Sequence, residues 1–370
     1  MTTDVTDTGV GTIRSSFLGG GFMARVHTRA ARAAGASLEV LASSSAMSAQ
    51  QAASALGVER VADDVTELLT DAGDVVHICT PNATHADLSR QVIAAGRHVI
   101  CEKPLATTLT DARELVDAAR HRGVVAAVPF VYRYHPMVRE ARARVAAGEI
   151  GALVTIDCGY LQDWMLSPED DDWRAISADG GPSRAFADIG SHLCDLLEFV
   201  SGERIVRLTA RTRRVYDERG GHAVANEDAV AILAELASGA IGTLLISQMA
   251  AGRKNALTLE LHGTRQSIRF DQERPEELWI GQREGSRQLL RDPQAAHPGV
   301  ARFSRVPAGH AQGYQDAFNS FVADVYEAIR GGHADGLPTF ADGLRAVALT
   351  EAVLRAADEQ CWVDTTPGAA

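Results

Sequence analysis

The feature that most constrains this chain is a glycine turn set directly between a strand pattern and a helix pattern. Residues 12–18 (TIRSSFL) read as a strand, Gly19-Gly20-Gly21-Phe22-Met23-Ala24 follows without a gap, and residues 24–34 read as a helix. The run fits G-x-G-x-x-A: Gly19 permits the tight turn, Gly21 lets the backbone approach a pyrophosphate, and Ala24 lies where helix packs on strand. The amides and dipole of the helix start then face the phosphates. At the first βα junction, such a turn predicts a doubly wound parallel sheet that holds a dinucleotide. Ser15 and Ser16 are polar for a buried parallel strand, and the sequence offers no role for them.

The next units repeat the pattern. Residues 38–42 (LEVLA) supply a strand with Ser43, Ser44 and Ser45 at its tip. No carboxylate stands there for ribose hydroxyls and no arginine follows for a 2′-phosphate, so NAD and NADP both stay open. Residues 74–80 (DVVHICT) are nearly continuously apolar, as in a strand covered on both faces. They end in Thr80-Pro81-Asn82, a loop at the sheet edge able to meet the ribose or nicotinamide end; His85 beyond it can cap its helix or touch the cofactor. Residues 97–101 (RHVIC) form a further strand that runs into Glu102-Lys103-Pro104. A residue before proline is held extended, which presents Lys103 on a turn at the carboxyl edge, where open α/β sheets bind ligands. After a helix over residues 109–122 and a strand over 124–128 comes an aromatic, basic stretch, PFVYRYHP at 129–136. Loops of this kind on a rigid sheet gather recognition residues.

From Ile150 the βα alternation stops. Residues 153–161, 205–215, 229–236, 240–249, 256–262 and 267–270 read as strands, several parted by turn signals such as Ser238-Gly239 and Gly263-Thr264. A run of strands after a run of βα units implies a second, α+β domain on a large, open, mostly antiparallel sheet. Helices return over residues 314–330 and 340–357. The expected division is an arm over 1–11, a Rossmann dinucleotide-binding domain over 12–136, and a second domain over 137–365 whose last helix can pack back on the first. Between the first two strands of the second half, Asp188-Ile189-Gly190-Ser191-His192 opens a helix. Four residues apart, Asp188 and His192 share a helical face. A carboxylate beside an imidazole fixes its tautomer and raises its basicity, as a proton acceptor requires; a helix cap next to a satisfied histidine reads the same way. Residues 160–184 carry Tyr160, Gln162, Asp163, Trp164, Trp173 and Arg174, suited to a polyhydroxylated ring or equally to a dimer interface.

Composition excludes several partners. A net charge of −12 argues against a nucleic-acid backbone or an anionic membrane. No stretch approaches the ~20 apolar residues of a membrane span, and the polar start has no signal-peptide core. The five cysteines are scattered without metal-ligand spacing. A cytoplasmic protein with reduced thiols and no metal is expected.

Taken in order, Gly19-Gly20-Gly21-Phe22-Met23-Ala24, Thr80-Pro81-Asn82 with His85, Cys101-Glu102-Lys103-Pro104-Leu105 and Asp188-Ile189-Gly190-Ser191-His192 resemble the glucose-fructose oxidoreductase, inositol dehydrogenase and rhizopine catabolism (Gfo/Idh/MocA) family. Residues 130–133 (FVYR) and 160–164 (YLQDW) are similar to those of its bacterial glycoside dehydrogenases, of the levoglucosan dehydrogenase type. The resemblance implies an oxidoreductase using NAD or NADP, NAD being the first expectation. It would move hydride between a secondary ring hydroxyl of a sugar, glycoside or polyol, C3 favoured, and the nicotinamide. Lys103 would hold the reacting hydroxyl, His192 would take its proton and Asp188 would orient His192. Around the cofactor it places Gly19, Gly21, Phe22, Met23, Ser43, Ser44, Thr80, Pro81, Asn82, His85, Glu102 and Lys103; around the sugar, Tyr132, Arg133, Tyr160, Gln162, Trp164 and Trp173. It further implies a cis peptide before Pro104, substrate-binding and oligomerisation roles for the domain over 137–365, and a homodimer or homotetramer built through the second sheet. An inositol dehydrogenase shares these motifs, as does a nucleotide-sugar ketoreductase with Arg133, Arg174 and Arg184 on the phosphates. A non-catalytic dinucleotide-binding sensor or scaffold is the alternative from another class.

Overall fold

The computed structural model describes residues 11–365; the expected arm, apart from Gly11, lies outside them. The first half lays down β1 (Arg14–Leu18), α1 (Phe22–Ala33), β2 (Ser37–Ala42), α2 (Ala46–Leu56), β3 (Arg60–Val61), α3 (Val65–Thr70), β4 (Val75–Ile78), α4 (His85–Ala94), β5 (His98–Cys101), α5 (Leu109–Arg122) and β6 (Ala126–Ala127). All strand pairs are parallel and the spatial order is β3-β2-β1-β4-β5-β6. The order reverses between β1 and β4, the switch point at which a doubly wound sheet opens its ligand crevice. Local chemistry supports each unit. Ser45 and Ser48 form a reciprocal cap on α2, Thr108 caps α5, and Gly123 ends α5 in the left-handed region at φ +68°. β3, only two residues long, is too short to carry a readable strand pattern.

The second half adds α6 (Pro136–Ala146), β7 (Leu153–Leu161), α7 (Ser177–Gly180), α8 (Ser191–Ser201), β8 (Ile205–Arg213), the short hairpin β9 (Glu218–Arg219) and β10 (His222–Ala223), β11 (Ala229–Leu236), β12 (Ile241–Ser247), β13 (Ala256–Gly263), β14 (Ser267–Asp271), β15 (Glu277–Gly281) and β16 (Arg287–Leu290). It closes with α9 (Tyr314–Ile329), α10 (Phe340–Glu359) and β17 (Val363–Asp364). Nine strands join in the order β16-β15-β14-β13-β7-β12-β11-β8-β17, antiparallel throughout except for the β7–β12 pair. Alternate residues of each strand face a shared core with α6, α8 and α10, while the opposite face stays open. α9 returns to the first sheet, where Phe318, Phe321, Val322 and Tyr326 fill the core beside Phe17 and α1. α10 packs on α5 and on β8, tying the two sheets together. Among the described residues no helix is long and apolar enough to cross a membrane, and no His, Cys, Asp or Glu cluster could hold a metal ion.

The parallel β7–β12 pair brings backbones into close contact at Gly242, where an added Cβ would stand 1.9 Å from the carbonyl oxygen of Ile156. Replacing Gly242 with alanine therefore forces strands apart in the middle of the sheet. We expect Gly242→Ala to cost about 1–3 kcal/mol, as overpacking does, read as a lower urea midpoint at an unchanged slope.

Candidate active site

The loops after β1 and β4 meet at the switch point. Gly19 has φ +99° and its missing Cβ would lie 2.6 Å from the carbonyl oxygen of Cys79, so no larger residue fits. Gly20 is equally constrained, because a Cβ there would strike Ala52 on α2 at 2.5 Å. Gly21 differs: nothing lies within 4 Å of its Cβ position, and it opens α1 without a side-chain cap. The first amides of α1 thus stay free over open space, the donor set a pyrophosphate requires. Phe22 is exposed there and Met23 half-buried, with Ser43 and Ser44 at the neighbouring tip of β2 and Thr80 and Pro81 across the crevice. This cradle fits a dinucleotide.

Three residues expected at the cofactor turn their side chains into the protein instead. Asn82 donates to the carbonyl of Gly180 at 3.0 Å, and the His85 ring lies between the carbonyls of Thr80 and Pro104, 2.8 and 2.7 Å from its two nitrogens, with one ring N–H to donate. Glu102 accepts from His27 at 2.9 Å and from the Lys103 amide at 3.2 Å. All three are buried, so their polar atoms must find partners. The loop backbones, and His27 for Glu102, supply them, and these residues brace the crevice from behind.

Lys103 projects from the turn after β5, and its peptide to Pro104 is cis. Its ammonium donates to the Asp188 carboxylate at 2.6 Å and to the Asp188 carbonyl at 2.9 Å, leaving one N–H for a ligand. Asp188 lies in a π-helical turn, Phe186–Gly190, that runs into α8. Two glycine-and-carboxylate devices make that turn. Gly190 lets the Phe186 ring approach to 2.5 Å of its Cβ position, and Glu227 accepts from the amides of Arg184 and Phe186 and from Ser183. Burial alone would raise the Asp188 carboxyl, but the Lys103 and Arg174 cations hold it well below the usual carboxylate range. Its second oxygen accepts from Gln248 at 2.8 Å, and Arg174 lies 3.4 Å away.

The expected hydrogen bond from His192 to the Asp188 carboxylate is absent. The carboxylate is already occupied by Lys103 and Gln248, with Arg174 beside it. His192 instead stands edge-on to Phe130 and Tyr132, at 5.6 and 5.1 Å between ring centres, with Nδ1 buried and unpartnered. Burial, reinforced by Lys103, pushes the imidazole down to about 3. It is therefore neutral at physiological pH and keeps a ring lone pair, though burial weakens it as a base.

A polar and aromatic wall continues from His192. Tyr132 and Tyr160 share a 2.5 Å hydrogen bond, Tyr160 donates to Asn255 at 2.6 Å, Gln162 donates to the same oxygen at 2.9 Å, and Trp164 donates to Gln162 at 2.8 Å. Trp173 stacks under Arg174, 4.3 Å from guanidinium carbon to ring centre. Gln248 and Asn255, on or beside β12 and β13, were missed in the sequence; neither belongs to a local motif. Arg133, expected beside the sugar, lies elsewhere. It points away from this wall into a buried ion pair with Asp195 and Asp342 and lies over Phe199. Arg184 is likewise buried against Asp228, so neither can serve a substrate phosphate.

Removing Arg133 would leave Asp195 buried without its cation. We expect Arg133→Met to lose about 3–5 kcal/mol of stability in urea titration, while the folded fraction keeps its KM for the sugar substrate. A raised sugar KM at full stability would return Arg133 to the site.

Comparison with known proteins agrees with this geometry. Residues 13–130 match the model of an oxidoreductase family with an NAD-binding Rossmann fold, and residues 138–269 match the GFO/IDH/MocA C-terminal domain. Levoglucosan dehydrogenase of Pseudarthrobacter phenanthrenivorans is 31% identical over 94% of this chain and 96% of its own length. Inositol 2-dehydrogenase of Rhizobium meliloti is 29% identical over 94% and 98%. A solved levoglucosan dehydrogenase in complex with NADH and L-sorbose superposes with a TM-score of 0.90 at 30% identity, covering 96% of this chain and all of that one. With both sheets, the glycine cradle and the ordered motifs in agreement, this chain belongs to the Gfo/Idh/MocA family of NAD-binding oxidoreductases.

Proposed function

We propose that the protein is an NAD-dependent dehydrogenase that oxidises a secondary ring hydroxyl of a sugar or glycoside, of the levoglucosan type and at C3. The observation that carries this is the Lys103–Asp188 pair at the carboxyl edge of the first sheet, facing a neutral His192 and a wall of Tyr132, Tyr160, Gln162, Trp164 and Asn255. A secondary alcohol gives up hydride readily only as it loses its proton. Lys103 donates its free N–H to the reacting oxygen and stabilises its alkoxide-like form in a partly desolvated pocket. His192 accepts the proton as general base. Asp188 holds the Lys103 ammonium in place rather than orienting His192. NAD, when bound, supplies the hydride acceptor. Aromatic faces among amide and phenol groups suit the C–H faces and hydroxyls of a sugar ring. With Arg133 and Arg184 committed to buried ion pairs, a nucleotide sugar loses two of its three phosphate-binding candidates.

The open face of the second sheet carries Leu233, Ile241 and Leu245, each about half exposed, on the adjacent strands β11 and β12. We propose that it joins copies of the chain into a dimer or tetramer. Ile241→Glu with Leu245→Glu is expected to give a smaller species by light scattering.

The activity test is nicotinamide reduction with levoglucosan, glucose, simple glycosides and myo-inositol, each against NAD and NADP. One responsive sugar, with turnover abolished in Lys103→Ala and reduced about 10²–10⁴-fold in His192→Asn, is the expected result. The pH dependence has a definite sign. A base with its pKa lowered to about 3 stays unprotonated as pH falls from 8 to 5, so kcat/KM has no acid limb from His192 in that range. A limb centred near the ordinary histidine value of about 6.5 would contradict the burial argument.

A further inference from the structure

Behind the lysine turn, the first sheet contains a run of polar side chains that the reaction does not touch. Ser15 on β1, His77 on β4, His27 on α1 and Tyr326 on α9 are all buried. Ser15 Oγ lies 2.7 Å from the Tyr326 hydroxyl, which lies 3.0 Å from His77 Nε2; His77 Nδ1 lies 2.9 Å from His27 Nδ1. His27 Nε2 then meets one Glu102 oxygen at 2.9 Å, and the other oxygen accepts the backbone amide of Lys103 at 3.2 Å. Packing fixes the rings: Phe17 stacks on His77 and Phe318 tilts against His27. Among the described residues, the run reaches from the strand before the glycine turn to the lysine itself.

Proton accounting gives this run a direction. Burial alone would raise the Glu102 carboxyl, but His27 and Lys103 hold it below its ordinary value, so it is an anion and only accepts. His27 Nε2 must then carry a hydrogen. If His27 is neutral, its Nδ1 is a lone pair, and His77 Nδ1 must donate to it. Burial keeps His77 neutral, so its Nε2 is a lone pair in turn and receives the Tyr326 hydroxyl. Ser15 donates to the Tyr326 oxygen and completes the set. In this arrangement every polar hydrogen in the run is used. The reverse polarity, with His27 as an imidazolium, sends the Tyr326 hydrogen to Ser15 and leaves the Ser15 hydrogen in the core without an acceptor. That state gains an ion pair with Glu102 but breaks the rule that buried donors are satisfied.

We propose that Ser15, Tyr326, His77 and His27 form a one-way donor chain ending on Glu102, and that His27 is a positioning residue for the lysine turn. By holding Glu102 as an anion aimed at the Lys103 amide, the chain fixes the backbone from which the Lys103 ammonium is presented. The kinetic consequence rests on the role assigned to Lys103 above; the protonation pattern does not.

The test has two arms. Nitrogen-15 imidazole NMR of the full chain at neutral pH is expected to find both histidines neutral, His77 protonated on Nδ1 and His27 on Nε2. A doubly protonated His27, or His77 protonated on Nε2, overturns the proposal. In the kinetic arm, His27→Leu is expected to lower kcat at least about 10-fold through misplacement of the lysine, with little change in KM for the dinucleotide. His27→Gln, able to donate to Glu102 and accept from His77, recovers most of that loss. A folded His27→Leu with wild-type kcat, or one no worse than His27→Gln, reduces the ring to packing and overturns the positioning role. The tautomers are read on the unaltered protein, so the question stays decidable if a variant does not fold. Turnover retained in Lys103→Ala would sink the lysine assignment while leaving the tautomers untouched, which separates the two failures.

Discussion

The ion pair between Lys103 and Asp188 is the constraint on which the rest of the cleft depends. It joins the carboxyl edge of the parallel sheet to the helix that covers the mixed sheet, so each half supplies one charge. Taking two such charges out of water is expensive, and their attraction compensates only when the remaining lone pairs and protons are satisfied as well. Here they are. The ammonium also reaches the Asp188 carbonyl, and the carboxylate also receives Gln248 and lies beside Arg174. The pair can therefore stay ionised in a half-closed site, with one lysine N–H still available. Glu227 and Gly190 belong to the same arrangement, because they shape the turn that brings Asp188 to the lysine at all.

Much of the fold was legible because each βα unit announces itself. Apolar runs end in Gly19, Thr80 and Lys103, turn residues with specific backbone demands, and β7 and β11 kept their read boundaries. The sugar and cofactor candidates were mostly legible too, since they lie on loops at one sheet edge. What escaped was whatever depends on direction or register rather than composition. Arg133 and Tyr132 are neighbours in the same aromatic, basic loop, yet a short 3₁₀ turn sends one to the cleft and the other to Asp195. Gln248 and Asn255 reach the site only because β12 runs parallel to β7 and β13 antiparallel on its other side. No window around either residue marks it out.

The Asp188–His192 pair is the instructive error. A four-residue spacing sets two side chains near one face but does not fix what the carboxylate bonds to, and Lys103, Gln248 and Arg174 come from distant parts of the chain. The chemistry expected of the residues is kept while the wiring changes: the carboxylate steadies the lysine, and the imidazole owes its neutrality to burial and to the nearby cation. A similar lesson applies to the serines of β1. Ser15 looked out of place in a buried strand because its partner, Tyr326, stands 311 residues along the chain.

That separation bears on how the protein is made. The core beneath β1 and α1 includes Phe303, Phe318, Phe321 and Tyr326, so the dinucleotide unit cannot finish packing when its own strands leave the ribosome. Chains emerge at roughly 5–20 residues per second, and the stretch from β6 to the end of α9 is about 200 residues. For some tens of seconds, then, a nascent chain carries the glycine loop and its sheet with one flank unsealed and His77 still lacking its tyrosine. The last helices act as a late closure, and the half of the protein written first is among the last to become solid.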